Sequence, residues 1–198
     1  MSIPSARLFL IGLVVLLGGC ALFPSASAPV ARPDLSEWLP FSLNGRISIN
    51  HSGKRDSAGL RWTHRLQTDE MLLLTPLGQA AARIYSDNRR DARQATLDEG
   101  GRHYRADDVE SLMEQVLGWH LPLSNLHHWV LGMAGSGSPA QIERTATGQI
   151  ISLIQDGWEI RYLSYADTGP DSLPKRLQLN HEDLQVILLI DKWEWNPQ

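Results

Sequence analysis

The one cysteine of the 198-residue chain, Cys20, stands directly after Gly18-Gly19 at the end of an apolar run. A single cysteine cannot close a disulfide within the chain. The other reactive side chains do not assemble into a catalytic set. Gly135-Ser136-Gly137-Ser138 lacks the G-x-S-x-G spacing that presents a serine nucleophile. Gly53-Lys54 lacks the upstream glycine of a phosphate loop and runs into Arg55. His181-Glu182 has no second histidine at H-E-x-x-H spacing. His127 and His128 are adjacent, and helical neighbours diverge by about 100°, which argues against a shared metal ion. Asp107 and Asp108 read as charges at a helix start. No catalysis, metal or cofactor is expected, and without an ATP site any transport must run downhill.

The elements around Cys20 give it a setting. Arg7 precedes the run Leu8 to Leu17, which ends in the two small glycines. That is the shape of a secretory signal peptide, and the run is well short of the roughly 20 residues of a membrane-spanning helix. Leu17-Gly18-Gly19-Cys20 resembles the lipobox of bacterial lipoproteins. The resemblance implies a diacylglycerol thioether on Cys20, cleavage before it and acylation of the new terminus. Ala21, in place of aspartate, implies sorting to the outer membrane. Residues 1–19 are thus a signal, and residues 20–34, with Pro24, Pro29 and Pro33, a flexible tether. Residues 35–198 form one domain without internal repeats, long enough for one ordinary core. The chain carries 22 acidic and 18 basic side chains, and loss of Arg7 with the signal leaves a charge of −5. No basic cluster stands out beyond Arg89-Arg90, so nucleic acid is not an expected partner.

Most of the domain alternates with period two. Phe41–Ile49, Leu60–Leu66, Met71–Thr75, a strand beginning at Arg83, Gln149–Ile154, Trp158–Tyr162, Leu177–Leu179 and Leu184–Ile190 read as strands with one buried face. Asn50–Gly53, Asp156-Gly157 and Asn180–Asp183 punctuate them as hairpins. Asp107–Leu117 carries a helical stripe of Val109, Leu112, Met113, Val116 and Leu117, with Asp107 as its cap and Gly118 as its end. A second helix is expected over Ser124–Leu131, and a short one near Asp34–Leu39. The class is mainly β (α+β). Nine or so antiparallel strands curl into a barrel or split into a sandwich, and helices inserted mid-sheet would plug or lid the concave face.

From Leu39 to Trp193 the chain resembles the LolB family of outer-membrane lipoprotein receptors and insertion factors. The matching stretches are Gly45-Arg46-Ile47, Trp62, Leu72-Leu73-Leu74-Thr75-Pro76-Leu77-Gly78, and Tyr104 to Asp108. Further on come Leu117-Gly118, Leu121 to Gly132, Gln155 to Trp158, and Leu188 to Trp193. Residues 86–103 and 133–148 match weakly. The resemblance implies an incomplete, open antiparallel β-barrel of about 9–11 strands, with a helical lid over an apolar cavity. It implies a monomer that accepts triacylated lipoproteins from a LolA-like periplasmic carrier and places their acyl chains in the outer membrane. It also implies that Leu77, between Pro76 and Gly78 at a loop tip, inserts into the bilayer. The alternative for Leu77 is a turn residue folded back on the core. Trp62, Leu74, Ile84, Leu112, Val116, Trp129 and Leu188 are the expected cavity residues. For the tryptophans, including Trp119, Trp158 and Trp193, plain core packing is the competing role. Two other readings of the whole are a structural outer-membrane lipoprotein that only docks a partner and an enzyme acting on cell-wall polymer. An open apolar cavity would favour transfer, and a solid core would favour docking.

Overall fold

Alternating residues pair across eleven antiparallel strands of a single sheet. The computed structural model describes residues 40–196. The signal, Cys20, the tether and the short helix expected near Asp34–Leu39 lie outside the described residues. The first six strands are β1 (Phe41–His51), β2 (Lys54–Arg65), β3 (Thr68–Leu74), β4 (Ala80–Asp87), β5 (Gln94–Glu99) and β6 (Arg102–Ala106). Helices α1 (Val109–Leu117) and α2 (Leu123–Trp129) follow. The chain closes with β7 (Gln141–Arg144), β8 (Ile150–Gln155), β9 (Trp158–Tyr165), β10 (Pro174–His181) and β11 (Leu184–Trp195).

The strand order is β6-β5-β4-β3-β2-β1-β11-β10-β9-β8-β7. Each strand pairs with its neighbours in the chain, and β1 pairs with β11, so the meander would form a ring if β6 met β7. They do not pair. The chain crosses from one sheet edge to the other between them, and the two helices make that crossing. The expected half-open barrel with a helical cover is therefore present.

Register places apolar side chains in rows across the inner face. One row runs Trp193, Leu43, Trp62, Met71, Ile84, Leu97, Tyr104 from β11 through β1 to β6. Another runs Ile49, Val186, Leu179, Ile160, Leu153 from β1 through β11 to β8. Fully burying one such side chain stabilises the fold by roughly 1.5–3 kcal/mol. Gly45 sits at a bulge where the β1–β11 register shifts. A Cβ there would lie 2.0 Å from the Leu189 carbonyl oxygen, so no side chain fits the close approach.

Two sequence expectations need correction. Strands β5, β6 and β7 lie within or beside the weakly matching stretches and were not expected. β7 is exposed along its whole length and β6 is largely polar, so neither carries an apolar stripe to read. The cap of α1 is Asp108, not Asp107: the Asp108 carboxylate accepts from the Ser111 backbone N–H at 2.7 Å. Of two consecutive aspartates, the extended backbone at Asp108 selects the second. The end at Gly118 is as expected, with φ 76°.

Candidate binding face and exposed turn

The inner face gathers large buried apolar side chains from both halves of the sheet, and the helices lie on it. Trp62, Ile84, Leu112, Trp129 and Leu188 all reach it and are buried. Val116 is half-buried against the same cluster. Leu74 is a correction. Burial in β3 alternates strictly, with Asp69, Met71 and Leu73 inside and Leu72 and Leu74 half-buried on the other face. A nearly all-apolar strand offers no period to tell its faces apart, and Leu74 belongs to the outer one. Among the described residues, side chains of both helices pack into the buried cluster of the inner face.

The two helices are fastened differently. α2 carries buried polar ties to both sides of the sheet. On the β8–β9 side, Gln155 is 1% exposed. Its Oε1 accepts from Trp129 Nε1 at 3.0 Å and from the Gly135 N–H at 2.8 Å. Its Nε2 donates to the carbonyls of Gly135 and Ser138, both at 3.0 Å. Tyr162 Oη donates to the Trp129 carbonyl at 2.9 Å. In the first turn of α2, Asn125 Nδ2 donates to Asp156 Oδ2 at 2.7 Å. On the β1–β3 side, His127 stacks on His64 with ring centroids 4.5 Å apart and planes 8° apart. His64 is held in turn: its Nδ1 donates to Asp69 Oδ1 at 2.8 Å, and Trp62 Nε1 donates to the same oxygen at 2.8 Å. Leaving a buried donor or acceptor of this kind unpaired costs about 1–3 kcal/mol.

α1 differs. It packs on β4, β5 and β6 through Val109, Leu112 and Met113, with Val116 and Leu117 half-buried. Its Glu110 accepts from Ser124 Oγ of α2 at 3.1 Å, and Glu114 faces His120. Among the described residues α1 makes no hydrogen bond or ion pair to a strand.

Burial and the neighbouring rings set the titration of the α2 histidines. Burial holds His127 below its usual value, and His64 adds to the effect. Burial, then His127 and His64, push His128 down to about 4. The His127 and His128 rings meet at 4.1 Å, closer than a 100° helical separation suggests. Among the described residues no three His, Cys, Asp or Glu groups gather as a metal set.

Leu77 lies in the β3–β4 turn. The Gly78 N–H donates to the Thr75 carbonyl at 2.8 Å, the Thr75 N–H donates to the Gln79 carbonyl at 2.8 Å, and Gly78 holds φ +78°. Pro76 presets the first corner of such a turn, and Gly78 takes the left-handed position without a Cβ penalty. Leu77 is left 87% exposed, the most exposed of the large apolar side chains described. It is not folded back on the core.

Sequence reading missed Gln155 and the His64–Asp69 pair. The signal for Gln155 was present: it is the last inward position of an apolar strand. His64 and Asp69 carried no signal, because their partner His127 is 63 residues away from His64 along the chain.

Residues 39–193 match the model of the family described as outer membrane lipoprotein LolB. The chain is similar to the outer-membrane lipoprotein LolB of Chromobacterium violaceum, 38% identical over 191 residues that cover 95% of this chain and 98% of the relative. The LolB of Nitrosomonas europaea is 33% identical over 200 residues, covering 96% of this chain and 93% of the relative. A solved LolA superfamily protein from Nitrosomonas europaea superposes with a TM-score of 0.45 and 10% identity over 80% of this chain and 87% of that one. That likeness is too loose to add to the fold described above.

Proposed function

The chain belongs to the LolB family of outer-membrane lipoproteins, and from that premise we propose how its parts act. The domain takes triacylated lipoproteins from a LolA-like periplasmic carrier and places them in the outer membrane. The observation that carries this reading is the family match across the whole described domain. The chemistry of the cargo supports it. A triacylated terminus exposes on the order of 45 methylenes, each worth ~0.8 kcal/mol on leaving water, so free passage across an aqueous compartment is excluded. The acyl chains must move from one apolar container to another. Without ATP, each acceptor must hold them more tightly than the last, and none so tightly that release stalls.

In this reading Cys20 is the lipid-attachment site and residues 20–34 are the tether that lets the domain reach the bilayer, on whose periplasmic side it works as a monomer. Leu77 inserts into the membrane surface and couples delivery to release. Trp62, Ile84, Leu112, Val116, Trp129 and Leu188 receive the acyl chains when the helical cover moves. A packed inner face would by itself suit a lipoprotein that only docks a partner. An 87% exposed leucine on a turn closed by its own hydrogen bonds suits contact with an apolar phase.

The test is transfer in vitro. A carrier is loaded with a radiolabelled lipoprotein and mixed with the soluble domain bearing Cys20→Ser. Label should move to the domain. A folded domain that takes none would refute the receptor role and leave the docking reading.

A further inference from the structure

We infer that the acyl chains enter and leave beneath α1, through the gap between its C-terminal end and the β1–β2 hairpin, while α2 stays seated on the sheet. The inference rests on the transfer function proposed above and adds to it which part moves and where the ligand passes.

The two helices give opposite answers to the same displacement. Lifting α2 would break the hydrogen bonds from Trp129 Nε1 to Gln155 and from Tyr162 Oη to the Trp129 carbonyl, together with the His64–His127 stack. An acyl chain arriving in its place offers no donor or acceptor to replace any of these. Lifting α1 uncovers an apolar stripe, with Leu112 and Met113 the most deeply buried, and among the described residues breaks only the exposed Ser124–Glu110 hydrogen bond, which water replaces. Dispersion and exclusion of water are non-directional, so a hydrocarbon chain substitutes for the α1 stripe without orphaning a polar group. The helix that an acyl chain can replace is α1.

The gap is already outlined. A space of about 310 Å³ lies between Leu117, Gly118 and Trp119 on one side and Ile49, Lys54 and Asp56 on the other. Ile49 is buried at its floor and Trp119 half-buried at its rim. Gly118, with φ 76°, ends the helix at this point. The gap also lies at the membrane-facing end of the molecule as Leu77 defines it. Leu74 pairs with Gly59, and β2 continues past that level to Lys54. The Thr75–Gln79 turn therefore stands beside the stretch of β2 that lines the gap. The same end carries the exposed leucine and the opening, so a chain leaving beneath α1 emerges next to the inserted side chain.

Two crosslinks in the Cys20→Ser domain test this. One pair, Lys54→Cys with Trp119→Cys, joined by a cleavable bismaleimide, ties the end of α1 to the hairpin. The other, Asn125→Cys with Asp156→Cys, replaces an exposed hydrogen bond by a disulfide and ties α2 to the sheet. Uptake of a fluorescent triacylated lipopeptide from the loaded carrier is then measured. The α1 tie should abolish uptake and its cleavage restore it, while the α2 tie should leave uptake unchanged. Loss of uptake with the α2 tie, or full uptake with the α1 tie closed, would overturn the inference. If the uncrosslinked double-cysteine domains, shown to be folded, take up no lipopeptide, it is the transfer function that has failed.

Discussion

Strand β3 ends in two turns, and each presents a leucine to solvent. Leu66, between β2 and β3, is 66% exposed, and Leu77, between β3 and β4, is 87% exposed. The resemblance ends there. Leu66 sits between Arg65 and Gln67, beside Pro40 at the start of the described chain, on the rim of an open hollow of about 790 Å³. Its turn adjoins the His64–Asp69 pair that seats α2. Leu77 sits between Pro76 and Gly78 on a turn closed by its own hydrogen bonds, next to the gap at the end of α1. Exposure alone does not define a membrane contact. A rigid mount and a neighbouring passage for the ligand separate the two leucines, and the neighbouring residues predict which end is fixed and which works.

Leu77→Glu should break the comparison most sharply. It should leave folding and uptake from the carrier intact and abolish incorporation into vesicles, whereas Leu66→Glu should change neither. Equal loss from both variants would remove any special role for the β3–β4 turn. Within the strand, Met71→Ala empties a fully buried site and should cost about 2–5 kcal/mol in urea unfolding. Leu74→Ala, on the outer face, should cost well under half of that. If the two costs are alike, the assignment of faces in β3 is wrong. Gly78→Ala puts a Cβ at a left-handed φ and should cost about 1–2 kcal/mol, with slower incorporation and normal uptake.

The smallest expected effect is in pH. His127 and His128 are held below the ordinary histidine value, so in mild acid the unfolded chain binds protons that the folded chain refuses. Stability is therefore full above about pH 6.5 and falls as pH drops towards about 4, the value set by His128. The melting temperature should fall by a few degrees across that window, and His128→Gln should flatten the slope. Amide exchange should rise in α2 and around His64 and stay unchanged in the Thr75–Gln79 turn. A rise at both ends would mean that the turns are not independent.

Features set by neighbours along the chain were legible before any fold. A lipobox is read as a linear signal, so the expectation placed on Cys20 and the preceding apolar run rests on no tertiary context. The Thr75–Gln79 turn follows from proline and glycine chemistry within five residues, and the α1 stripe from helical spacing. Alternation revealed the strand-rich class and most of the strands. What depended on distant partners was not legible. Leu74 could be placed on either face, because the pairing of β3 with β2 and β4 decides which side of an all-apolar strand turns inward. Edge strands β6 and β7 carry no stripe, because an edge strand buries little. The joining of β1 to β11, the Gln155 ties and the His64–His127 stack bring together residues far apart in sequence. The sequence by itself determined most of the strands, the α1 stripe and the exposed turn, since these rest on interactions within a few residues. Only the tertiary structure decided which face is the inside and which helix is bolted down, since register and buried hydrogen bonds exist only once the strands have paired and the helices have packed on them.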